Sequence, residues 1–306
     1  MDDIDRMIVF GVAAPFAIAC LLVLPRSKRT RSGPDTHAWR LVLAVGTPVV
    51  LAFFALFHWP WTEWTDASAW WSRLNQDQLI LYAVLLSLAV GLAMSRAPGT
   101  LLVRAAFILA LAGLVTLATW PIVAPEAWYY RAMPAAGIFL LGGALEYAAV
   151  RRSGFCLPMA MCLALATTSV LVAATGMQPL GVAALAAAVA LGVLAIVSLW
   201  RRNLSMAHGV VPVVATLLVM PPLIKWLYIV FEADDFPAAA FLLPMFAPLM
   251  VLAAELPGIR HTRDWLRNLI VLTLVAAMCA AGVALAFRPH PNADRVLDAT
   301  PLPIDP

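Results

Sequence analysis

No histidine falls within a long apolar stretch of this 306-residue chain: His37, His58, His208, His261 and His290 all lie in connections or tails. That excludes the axial histidine of a membrane haem. The chain also has no HExxH, no GxSxG and no Walker-type phosphate loop, so embedded zinc proteolysis, elbow-type serine hydrolysis and nucleotide hydrolysis have no foothold. Cysteine is scarce too. Cys20, Cys156, Cys162 and Cys279 sit within or at the edge of apolar stretches without CxxC spacing, and read as buried free thiols rather than disulfide partners. We expect no metal and no cofactor from these absences, and they weigh against enzymatic activity.

Charge is the other shortage. Only 12% of residues are charged while 63% are hydrophobic, a balance far outside that of soluble domains. In place of charge there are ten apolar runs: 7–24, 39–57, 79–94, 101–123, 133–150, 155–174, 180–200, 210–231, 237–256 and 269–287. About 20 helical residues, at roughly 1.5 Å each, cross the hydrocarbon core of a bilayer, so each run is near spanning length. The third is short and must borrow from its flanks. The expected fold is an all-α integral membrane protein, a polytopic bundle of about ten transmembrane helices. It forms one domain over 1–287, followed by a proline-rich tail, 288–306, that is extended or disordered.

The few charges are sorted by sign. With odd-numbered connections on one side, that side holds fourteen of the 20 basic residues, among them Arg26, Arg96, Arg104, Arg151, Arg152, Arg201, Arg260, Arg263 and Arg267, but only four of the 17 acids. The positive-inside rule places this side in the cytoplasm and both termini outside, which fits a bacterial inner membrane. The acidic start, Met1 to Met7, reads as the lead of a retained first helix rather than a secretory signal. The small net positive charge is what remains of two opposed surfaces, and gives no argument for nucleic acid.

Short inner connections such as 151–154 and 201–208 force antiparallel neighbours. Small residues recur every fourth position at Ala184, Ala188 and Gly192, and again at Ala276, Ala280 and Ala284; in lipid such stripes let helix backbones approach closely. Two halves of five runs would stand in opposite orientations, as in many secondary transporters. The long outer connection after the second run is answered in the second half only by the short 175–179.

That long connection, 58–78, carries Trp59, Trp61, Trp64, Trp70 and Trp71 interleaved with Glu63 and Asp66. Indole has an apolar body and one polar N–H, so this aromatic surface reads as an anchor at headgroup level. Its alternative is a stacking platform for a sugar or lipid headgroup.

Intramembrane ionisable groups point to function because each costs at least about 2.5 to 3.5 kcal/mol to insert. Lys225 is the one cation well within a run, close behind Pro221 and Pro222. Each proline lacks an N–H and displaces the carbonyl four residues earlier, so Leu217 and Leu218 are expected to present freed oxygens. Pro244 and Pro248 do the same one run later. A substrate site is therefore placed between the eighth and ninth runs, built from Lys225, Leu217, Leu218, Pro221, Pro222, Tyr228, Glu232, Pro244 and Pro248, with the lysine facing an anionic or zwitterionic solute. The competing reading has Lys225 snorkelling to headgroups.

Glu146 and Glu255, each near the inner end of a run, are candidates for coupling to an ion, against the commoner role of carboxylates paired with neighbouring arginines. The loop with Arg260, His261, Arg263, Asp264 and Arg267 reads as an orientation signal with anionic-lipid contacts. Three functions follow: a small-solute transporter; a non-catalytic subunit of a larger membrane complex, or a homo-oligomer; and an enzyme acting on lipid-linked substrate at the outer face. The partner common to all three is the lipid bilayer.

Overall fold

The computed structural model of the chain describes residues 3–23, 38–56, 76–96, 100–119, 128–152, 154–175, 178–200, 206, 209–220 and 237–288. Among them the regular structure is helical throughout, with no strand. Each apolar run has helix in its described part. We number them α1 (Asp3–Ile8, Val9–Ala13 and Ala14–Val23), α2 (Ala38–Leu56), α3 (Gln76–Met94), α4 (Leu101–Thr119) and α5 (Trp128–Arg151). The series continues with α6 (Cys156–Ala174), α7 (Gln178–Trp200), α8 (Val210–Met220), α9 (Ala238–Phe246 continuing as Ala247–Glu255) and α10 (Asp264–Ala286). Five of these, α2, α5, α6, α7 and α10, are long and apolar enough to cross a membrane, as a helical membrane protein requires.

Helix ends differ from the apolar runs in physically sensible ways. α3 begins at Gln76 rather than Leu79, and so gains the polar flank that its short apolar run needs. α10 begins at Asp264 rather than Leu269, because an acidic residue in the first turn favours the helix dipole and Trp265 can sit at the interface. In α1 the five residues Val9–Ala13 are wound as a π-helix. Pro15 cannot donate to the Gly11 carbonyl, and the wider turn absorbs its ring.

α9 and α10 run antiparallel, since Gly282 late in α10 lies against Ala240 near the start of α9. α5 and α9 run parallel, with Arg152, just past α5, reaching Glu255 at the end of α9. The centre is α7 and α8. Leu180–Trp200 has 78% of its residues buried, against 22% for Asp264–Ala286, so α7 is an inner helix and α10 a rim helix. The described hydrophobic residues of α8 are buried from Val210 to Met220.

Close approaches are made by glycine. Gly91 of α3 and Gly209 at the entry to α8 touch backbone to backbone, and a Cβ on either would run into the carbonyl oxygen of the other. Gly209 also has φ +119°, a conformation open to glycine and closed to most other residues. Ser169 of α6 donates to the Gly181 carbonyl of α7 at 2.6 Å, tying those two helices near the start of α7.

One small-residue stripe behaves as expected and one does not. Ala184 and Ala188 are buried against the bundle, whereas Ala276, Ala280 and Ala284 are all exposed. α10 instead buries Val271, Val275, Cys279 and Gly282. Its packing face was chosen by larger apolar side chains that fill the groove beside α6 and α9, and the alanines were left to face outward.

Candidate functional site

The expected site between the eighth and ninth runs is described in part. Lys225, Pro221, Pro222, Tyr228 and Glu232 lie outside the described residues, as do Trp59, Trp61, Trp64, Trp70 and Trp71. Leu217 and Leu218 are buried in α8, and Pro244 and Pro248 are buried in α9. Both helices approach α5. Gly137 of α5 sits between them, where a Cβ would meet Val219 of α8 at 2.8 Å and Met245 of α9 at 3.8 Å. Pro134, also buried, lies one turn from Gly137 on the same helix.

The prolines of α9 reshape it. Pro248 has no N–H for the Pro244 carbonyl, and Ala247 donates to both Leu243 and Pro244 instead. That second bond is the i to i−3 bond of a 3₁₀ turn, and from there Ala247–Glu255 continues as 3₁₀ helix for nine residues. Runs beyond three or four residues are uncommon, because side chains eclipse and hydrogen bonds bend. Pro244 in turn deprives the Ala240 carbonyl of its α-helical donor. That oxygen faces Gly282, where a Cβ would come within 2.8 Å of it.

The two coupling candidates have separate surroundings. Glu146 is 2% exposed and its Oε1 accepts from Arg104 Nη1 at 2.8 Å across the α4–α5 contact. α4 buries Arg104, Ile108, Leu111 and Val115 on one stripe, and α5 buries Leu141, Leu145 and Glu146 on its facing one. Gly142 lets Ile108 pack close, at 3.2 Å from where a Cβ would stand, and this brings the next turn of each helix, with the charges, into register. Glu255 is about one-third exposed and accepts from both Nε and Nη2 of Arg152, at 3.0 and 2.9 Å.

Sequence reasoning missed Arg104 as a site residue. It counted among the inner-loop cations, yet it is only 7% exposed and buried inside the bundle. The available signal was its position as the fourth residue of an apolar helix, on the same stripe as Ile108, Leu111 and Val115. The nearer arginine, Arg151, does not serve Glu146; its guanidinium lies over the Tyr147 ring at 4.5 Å.

Buried hydroxyls mostly bond to backbone carbonyls within their own helices: Ser87 to Val84, Ser198 to Ala195 and Thr216 to Pro212. Thr168 of α6 is buried with no hydrogen-bond partner for its Oγ1 among the described residues. All four cysteines are free thiols. Among the described residues no three His, Cys, Asp or Glu side chains gather as a metal site. Comparison of the chain with known protein families, with characterised proteins and with solved structures finds no match.

Proposed function

We propose that this chain is a ten-span inner-membrane transporter of a small anionic or zwitterionic solute, with both termini outside. The observation that carries the reading is the meeting of α5, α8 and α9 at Gly137, between Val219 and Met245. Buried prolines and a 3₁₀ segment lie in the same place, and irregular backbone at membrane depth is tolerated where protein buries it or a cavity solvates it. Lys225 follows five residues beyond the described end of α8 in sequence and supplies the positive charge, with Glu232 seven residues further along the chain. Glu146 is the coupling carboxylate, because a proton on it would remove the negative charge that holds Arg104 between α4 and α5.

The test is uptake into proteoliposomes of a panel of anionic, zwitterionic and cationic small solutes, driven by a pH gradient. Lys225→Met should abolish accumulation of the anionic solute, and Glu146→Gln should leave exchange without gradient-driven accumulation. An activity that keeps its charge preference in Lys225→Met would end the proposal. The second reading, a non-catalytic subunit, is favoured by the outward apolar face of α10. Stoichiometric partners retained through mild-detergent purification, with no uptake by the isolated chain, would establish it instead.

A further inference from the structure

The arginine-rich end of the bundle gathers side chains from α5, α6, α9, the turn after α9 and α10, which the sequence does not show together. Arg152 is held on Glu255 by two hydrogen bonds. Arg151, at the end of α5, and Arg260, in the single turn Pro257–Arg260, lie within electrostatic reach of the same carboxylate. Arg152 and Arg267 both lie within reach of Cys156 at the start of α6. The cluster therefore joins the ends of α5 and α9 to the starts of α6 and α10.

Among the described residues its four arginines face two acids, Glu255 and Asp264. Arg151 and Arg260 are exposed, and Arg151 is held in place by stacking on Tyr147. Arg267 donates Nη2 to Asp264 at 2.6 Å, but that carboxylate is 87% exposed, and its own Nε has no acceptor among the described residues. Such a pair is weak in water and easily exchanged for a stronger oxyanion. Beside the cluster stand three exposed apolar side chains, Leu256, Trp265 and Leu269. Guanidinium groups next to outward-facing Trp and Leu match a molecule with an anionic head and an apolar tail.

We propose that Arg151, Arg260 and Arg267 form a binding site for the phosphate of an anionic phospholipid, whose acyl chains lie along Leu256, Trp265 and Leu269. The site is distinct from the solute path and holds whether or not the chain transports anything. An occupied site would clamp α5, α9 and α10 together at this end.

The full chain, purified in a neutral detergent, is titrated with phosphatidylglycerol, with phosphatidylcholine and with inorganic phosphate, following Tm and the lipid retained in native mass spectrometry. Phosphatidylglycerol should raise Tm and remain bound while the other two do neither. The double variant Arg151→Ala with Arg260→Ala should bind it on the order of thirty-fold more weakly, taking about one kcal/mol for each surface arginine. Arg96→Ala, an exposed arginine at the end of α3, should bind normally and so exclude a general charge effect. Equal effects of the two lipids, reproduction of the shift by inorganic phosphate, or equal weakening by Arg96→Ala would each overturn the proposal.

Discussion

α7 and α10 are both 23 residues long, both apolar, and both carry small residues at every fourth position, yet one lies at the centre of the bundle and the other on its rim. On α7 the small side chains are where neighbouring helices press in, because α1, α2 and α6 all pack against it. On α10 they point outward, and contact with α6 and α9 is made by Val271, Val275, Cys279 and Gly282. Spacing alone therefore reports that a helix can be approached closely. Whether it is approached depends on how many neighbours it has.

Substitutions can break this contrast. The largest effect should come in the interior at Gly209→Ala, which meets two penalties: an L-residue at φ +119° and a Cβ driven against the Gly91 carbonyl. Strain and overpacking of about 1 to 3 kcal/mol each should leave little folded protein, measured as the monodisperse fraction after detergent extraction. Ala188→Leu should come next, costing about 1 to 3 kcal/mol through forced movement of packed helices, seen as a lower Tm.

Gly282→Ala tests a tight point of the rim helix. A methyl group there would press on Ala240 O and the Pro244 ring, neither of which can swing aside, and Tm should fall by less than in Ala188→Leu because α10 can move outward. Ala280→Leu should leave Tm within error, since its side chain is exposed. A fall matching that of Ala188→Leu would show that α10 has a partner on its outer face, and would turn the contrast between centre and rim into one between two kinds of interface.

The helical class was legible from the ten apolar runs because a helix in lipid must satisfy its own backbone, leaving few alternatives. The packing faces were not. A stripe such as Ala276, Ala280 and Ala284 looks the same in sequence whether it meets a helix or lipid. Arg104 was hidden for a related reason: by sign it belongs with the inner-loop arginines, and only the depth of its stripe, shared with Ile108 and Val115, sets it apart. Glu146 was legible as a candidate, but its partner 42 residues away was not. The proline pair of α9 was legible as a disruption; that the disruption takes the form of nine residues of 3₁₀ helix follows from Ala247 taking over the Pro244 carbonyl, a bond that no pattern in the sequence announces.

That winding also sets how far α9 reaches. Nine residues at about 1.5 Å and nine at about 2.0 Å give a rod of about 31 Å, against about 27 Å for the same residues wound as α-helix throughout. The hydrocarbon core of a bilayer is about 30 Å thick. Pro248 thus stretches an 18-residue segment to the thickness that longer helices reach by residue count, and Pro248→Ala should shorten α9 enough to draw Glu255 away from Arg152.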